Sequence, residues 1–289
     1  MEEVLINIGG VSMKAVKHPG KCKLCGEFKE LTFEHVPPRK AFNSHAVMVF
    51  PFEEVMKTFT GEDGRMPWEL SGLQGKIQQK GSGDYYLCRQ CNNDTGSWYI
   101  EEYNNLAAGL HYCINVENFA VGNKYSVTIK NIYPLRVFKA MLTMLCDINF
   151  NCMGDPDLRE FLLSKGNNSF DSNKYSLCLY LVSPQMSRIN GITCSANIHN
   201  NTHILSTEIN SYPIGFVLYI DSEDSASKFG VNVTSWAQYG YDEQCDITLI
   251  DVPFIEINSQ TPLDYRTKEE LISCIEENKK FENEYNAGR

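Results

Sequence analysis

Apolar residues fall along this chain in two kinds of run. In the second half, short apolar or alternating stretches predict strands at Tyr125–Ile129, Tyr175–Val182, Ile192–Ile198, Ile214–Ile220, Gly230–Thr234 and Ile247–Val252. Other stretches repeat every three or four residues and predict helices. Pro134–Asp147 has proline at its first position, and Leu135, Phe138, Leu142 and Leu145 share one face. Pro156–Lys165 follows Asp155 as N-cap and stops at Gly166. Lys268–Lys279 follows Thr267, which forms a capping box with Glu270. The first half is less regular. It offers a short strand at Val4–Ile8, a short helix near Glu53–Thr58, and a helix from about Ser97 that carries Tyr99, Tyr103, Leu106 and Leu110 on one side. Between these, Pro37, Pro38, Pro51, Pro67 and the glycines from Gly61 to Gly83 read as loops. The expectation is an α+β protein in two parts, 1–120 and a β-rich 121–289, with the boundary near 110–122.

Composition narrows the class. The chain has 289 residues, 43% apolar and 21% charged, which suits a globular protein with a real core. No run of 18 apolar residues is present, so no membrane-crossing helix is expected. The opening MEEVLINIGG is acidic where a secretory leader is basic, and a cytoplasmic location is expected. The formal net charge of −10 excludes a generally basic nucleic-acid coat, but the charge is uneven. Lys14–Lys40 holds seven basic residues against three acidic ones, a cluster that either faces phosphates or is simply a solvated surface.

The eleven cysteines are scattered except for four, which form two C-x2-C pairs: Cys22 with Cys25, and Cys88 with Cys91. Each pair sets two thiolates on one tight turn, and two pairs close a tetrahedral sulfur shell around structural zinc. No open coordination position remains, so that metal is expected to hold the fold and do no chemistry. The 62-residue gap between the pairs is longer than in most zinc ribbons. Cys146 and Cys178 sit in apolar strings and read as buried small hydrophobes.

Between the pairs lies LTFEHVPPRKAF, and the second pair runs directly into CNNDTGSWY. The order C-x2-C, Glu34-His35-Val36-Pro37-Pro38, C-x2-C-Asn92-Asn93 resembles the HNH endonuclease superfamily over about residues 20–105. More narrowly, EHVPPRKAF and CNNDTGSWY are similar to strings in an uncharacterised group of bacterial HNH-like proteins, which also share a long second half with a segment like YPLRVFKAM. The resemblance implies a zinc-stabilised ββα-metal unit, treble-clef-like, in front of the β-rich part. It implies that His35 is the general base, and that Glu34 and Asn92 hold a catalytic divalent cation. Asn93 and Asp94 take the place of Asn92 if the register shifts by one or two. The chemistry fits those residue types. A neutral imidazole takes a proton from water near neutral pH, and oxygen donors suit Mg²⁺ or Mn²⁺. Adjacent strand residues point to opposite faces, so Glu34 and His35 converge only if the strand ends or kinks there, as Pro37 and Pro38 allow.

Two departures from the pattern stand out. The family's middle asparagine, which orients the base, has only Asn43 as a candidate, and the long interval from His35 to Cys88 must hold an insertion, either a substrate lid or a surface loop. Trp98, Tyr99 and Tyr103 are assigned to the core by their helical spacing, and His18, His45, His111, His199 and His203 receive no role. The expected function is metal-dependent hydrolysis of DNA, in bacterial defence by analogy with the family. The expected partners are DNA, a regulatory ligand or protein at the second half, and a second copy of the chain in a homo-oligomer. The rivals are a non-catalytic zinc module that binds nucleic acid or protein, and an interaction protein whose zinc part only supports the second half.

Overall fold

A computed structural model of the chain describes residues 4–8, 11–15, 17–57, 65–149, 151–197, 202–221 and 228–287. The predicted positions Thr58, Gly61, Ile198 and His199 lie outside these residues. The chain opens with the antiparallel strands β1 (Val4–Ile8) and β2 (Val11–Ala15). Strands β3 (Pro19–Lys21) and β4 (Phe28–His35) flank the first cysteine pair. An excursion follows, carrying β5 (Val47–Val49), α1 (Phe52–Met56) and β6 (Lys76–Gln78), with β5 and β6 paired as a small ribbon. The main path returns in β7 (Gly83–Cys88), and β3, β4 and β7 make one antiparallel sheet.

From Cys88 the chain turns directly into α2 (Arg89–Thr95), passes one π-helical turn at Gly96–Ile100, and continues as α3 (Glu101–Val116). The helix expected from Ser97 therefore begins eight residues earlier, because the second cysteine pair forms its first turn. Tyr99, Tyr103, Leu106 and Leu110 are buried, as their spacing requires.

The second half adds β8 (Lys124–Ile132), α4 (Pro134–Ile148), α5 (Pro156–Leu163), β9 (Tyr175–Val182), β10 (Arg188–Asn197), β11 (Thr202–Ser211), β12 (Ile214–Ile220), β13 (Val231–Asn232), β14 (Cys245–Ile255) and α6 (Lys268–Ala287). Among the described residues its seven strands run in the order β10-β11-β12-β9-β14-β8, with β13 beside β9, and only the β9–β14 pairing is parallel. Local signals act as read: Asp155 accepts from the N–H groups of Asp157 and Leu158, and Thr267 and Glu270 exchange the capping-box bonds.

Strands β9 and β12 are buried at every position, because both faces of the sheet are covered. Helix α4 lies on one face, and residues 256–265 cover the other. That cover is pinned by Arg188, which donates to the carbonyls of Ser259, Thr261 and Asp264 at 2.8–2.9 Å and to Glu208 Oε2 at 2.9 Å. Packing joins the two parts. One apolar core runs from Cys22, Leu87 and Tyr103 to Leu135, Phe138 and Phe216, and Tyr99 donates to the Leu162 carbonyl at 2.9 Å. The division at residues 120 and 121 falls between α3 and β8, while this core extends across it.

Candidate metal centre and active site

Cys22 and Cys25 sit on the turn between β3 and β4. The Cys22 carbonyl accepts from Gly26 N–H at 2.9 Å, and Gly26 takes φ +77°, a left-handed conformation that glycine adopts without strain. Cys88 ends β7 as the residue before α2, and Cys91 lies in the helix's first turn. Two bonds clamp the turns together: Lys23 N–H to the Tyr86 carbonyl at 3.0 Å, and Cys88 N–H to Cys22 Sγ at 3.3 Å. All four sulfurs lie within 4.8 Å of one another. A tetrahedral shell with bonds of about 2.3 Å requires sulfurs about 3.8 Å apart, so the donor set can hold a metal such as zinc. The sulfurs are strongly coupled. A hydrogen bond with Cys91 lowers Cys22 to about 4, while the same contact and burial push Cys91 far up. A single cation among them would replace that sharing of protons.

The β4–β7 pairing places Glu34 opposite Asp84 and His35 opposite Gly83, with a bulge after Thr32. Thr32 and Glu34 face α2. Asn92, in the second turn of the helix path, donates to Thr32 Oγ1 at 3.0 Å, and Thr32 donates to the Leu87 carbonyl at 2.9 Å. The Asn92 amide also lies against the Glu34 carboxyl. Burial raises Glu34 to about 7, and the Asn92 contact offsets part of that rise. Asp147, from α4, lies within reach of the Glu34 charge. It is 1% exposed, its Oδ1 accepts no hydrogen bond among the described residues, and burial followed by the Glu34 charge pushes its carboxyl well up.

His35 leaves the strand on the other face. Its Nε2 lies 3.0 Å from the Lys80 carbonyl, and its ring meets Phe33 edge-on at 5.0 Å. A carbonyl only accepts, so neutral His35 carries its proton on Nε2 and keeps the Nδ1 lone pair open. Burial lowers the His35 pKa, the Lys80 carbonyl opposes this, and the nearby Arg39 charge reinforces it. The Lys80 segment is itself held by Asn43. That side chain donates to Pro37 O at 2.6 Å and Ser82 O at 2.8 Å, and accepts from Ser82 N–H at 2.7 Å. Gly81, at φ +99°, passes so close to Asn43 that any Cβ would meet its carbonyl oxygen at 2.1 Å.

Of the residues singled out from the sequence, the four cysteines gather at one point and Glu34 meets Asn92. His35 makes no hydrogen bond or ring contact with Glu34 or Asn92 among the described residues. Asn93 is exposed, and Asp94 accepts from Gln90, so neither joins the Glu34 side chain. Two participants were not read from the sequence. Asp147 had one signal, being the single acid in the apolar string MLTMLCDI, and the Lys80 carbonyl had none. Among the described residues, no helix is long and apolar enough to cross a membrane. Compared with protein-family models, curated proteins and solved structures, the chain matches none.

Proposed function

We propose that the chain is an HNH-type, metal-dependent endonuclease that hydrolyses DNA, built on a zinc-stabilised ββα-metal unit in residues 1–120. The observation that carries this reading is the end of β4. Its last two residues are a half-buried carboxyl backed by an asparagine from the following helix, and a histidine whose backbone hydrogen bond leaves Nδ1 open. Zinc suits the cysteine cluster because soft thiolates fill all four positions, and Mg²⁺ or Mn²⁺ suits the oxygens of Glu34 and Asn92. When bound there, such a cation would neutralise charge on the phosphate and the leaving oxygen.

The chain's own groups would do the rest. His35 would take the proton of the attacking water at Nδ1, and Asn43, bonded to Ser82, would hold the segment whose Lys80 carbonyl keeps the ring in the right tautomer. Glu34 and His35 leave opposite faces of the strand at its end, so a phosphate would lie across that end, where Val36 and the two prolines stop the ladder. The acidic second half is proposed to restrain or target the nuclease through a ligand, a partner or a second copy of the chain. A cytoplasmic defence role is the setting this reading suits.

The same separation of Glu34 from His35 favours a second reading, a non-catalytic zinc module that binds nucleic acid or protein. Cleavage of plasmid and linear DNA decides between them, measured with Mg²⁺ and Mn²⁺ for the parent and for His35→Ala. The nuclease reading expects the parent to be roughly 10²–10⁴ faster, the usual effect of a general base. Equal rates would reject it in favour of the binding module.

A further inference from the structure

The face of the sheet that carries His35 is unlike the face that carries Glu34. Alternation sets Lys29, Leu31, Phe33 and His35 on one side of β4, and Glu30, Thr32 and Glu34 on the other. Across the ladder Tyr85 stands opposite Phe33, and their rings meet edge to face at 5.5 Å. His18, from the segment just before β3, stacks on Tyr85 with centroids 3.4 Å apart and planes 15° apart. His18, Tyr85, Phe33 and His35 thus form one continuous track of rings. Phe33, at its middle, is 40% exposed, although it lies on the central strand of a three-stranded sheet. In a structural core that ring would be covered.

The charges around the track are sorted. Arg39 acts on His35 at one end, while Lys29, on the Phe33 side of the same strand, is ion-paired with Glu27. Asp84 is paired with Glu34 in the ladder and shares that residue's face. The ring side is therefore aromatic with the Arg39 charge at its His35 end, and Glu34 and Asp84 are turned away. An apolar protein partner has no use for that charge. A nucleic acid uses both features, since a phosphate meets Arg39 and bases meet the rings. In a duplex the faces of the bases are already covered by their neighbours, so a track of ring faces suits a strand whose bases are unpaired.

We propose that the outer face of β4 and β7, carrying His18, Tyr85, Phe33 and His35, is a base-stacking platform that selects single-stranded nucleic acid. The proposal rests on the nuclease reading only in that His35 is placed both on the platform and at the reacting phosphate. It names the substrate class: a single-stranded DNA or RNA segment, or an unpaired flap or loop in a duplex.

The test is fluorescence anisotropy of the full chain with a labelled single-stranded 20-mer of mixed sequence and with the same 20-mer annealed to its complement, without added divalent ion. The single strand should bind more tightly. Phe33→Ala should weaken its binding roughly 5- to 150-fold, the fold-change equivalent to about 1–3 kcal/mol per stacked base, and should leave duplex affinity unchanged. Tyr85→Leu should act in the same direction, and Phe33→Trp should keep the affinity, which separates lost stacking from lost folding. Equal affinity for the two ligands, no binding of either, or single-strand binding indifferent to both Phe33→Ala and Tyr85→Leu would overturn the platform. Cleavage keeps the two readings apart. His35-dependent cutting of duplex without single-strand preference leaves the nuclease and removes the platform. Ring-dependent single-strand binding without cutting, with any divalent metal, leaves the platform and removes the nuclease.

Discussion

Asn43 grips Ser82 with both ends of its amide, accepting from the Ser82 N–H at 2.7 Å and donating to the Ser82 carbonyl at 2.8 Å. This clasp closes the excursion between β4 and β7 at its base and presents the Lys80 carbonyl to His35. Asn43→Ala would remove the partner of the Ser82 N–H and the Pro37 carbonyl, while the Ser82 carbonyl keeps the Val36 N–H. At about 1 kcal/mol net per bond, the three bonds set an expected loss of about 2–4 kcal/mol, read in a urea titration. In the nuclease reading the rate falls as well, because the His35 ring loses its fixed tautomer. Unchanged stability in Asn43→Ala would contradict the clasp.

The cysteine cluster makes a compositional prediction. Purified protein should carry about one Zn²⁺ per chain and keep it through mild chelation, because four thiolates within 4.8 Å close a full shell. Cys88→Ser should lose the metal and several kcal/mol of stability, since binding the ion is part of folding. Elemental analysis and thermal melting of the two proteins check this. Zinc-free parent protein, or a Cys88→Ser variant equal to it, would refute the site.

Glu34 and His35 shift in opposite directions, and pH separates their roles. Glu34 rises from the ordinary carboxylate range to about 7, so without a divalent ion the folded state holds a proton that the unfolded state has released. Stability from this group is therefore lost as pH rises from about 4.5 towards 7. Divalent-ion binding runs the other way, because the ion must displace that proton, and affinity should climb about tenfold per pH unit up to about 7. The His35 pKa is lowered, so the base stays neutral below the usual histidine range. The acid limb of any cleavage profile should then follow Glu34, lie near pH 7, and move down at saturating Mn²⁺. A limb that does not respond to metal concentration would assign it elsewhere.

The Arg188–Glu208 pair should matter for folding and not for the site. Arg188 is 1% exposed, and Glu208 accepts from it and from the hydroxyls of Tyr180 and Tyr265. Glu208→Gln would leave a buried guanidinium without its counter-ion, at a cost of about 3–5 kcal/mol. Zinc content should not change, because the pair lies on the face of the large sheet away from α4. Equilibrium unfolding with parallel metal analysis distinguishes the two effects.

Several signals that span only a few residues were sufficient in the sequence alone. The apolar runs Tyr175–Val182 and Ile214–Ile220 became strands with those bounds, Pro134 started α4, and Asp155, Thr267 and Glu270 capped their helices. The two C-x2-C pairs were equally plain, since each spacing is itself a turn geometry. Strand β11 was not legible. Its buried positions include Ser206, Thr207, Glu208 and Asn210, whose polarity is tolerated only because distant partners such as Arg188 and Asn149 satisfy part of it. Tertiary structure alone also decided that Asn43 meets Ser82 and that Asp147, from the other part of the chain, comes within reach of the Glu34 charge. Local preferences act through neighbours two to four residues apart. These contacts join positions tens of residues apart, and strand register and helix docking must set them before any side chain can choose its partner.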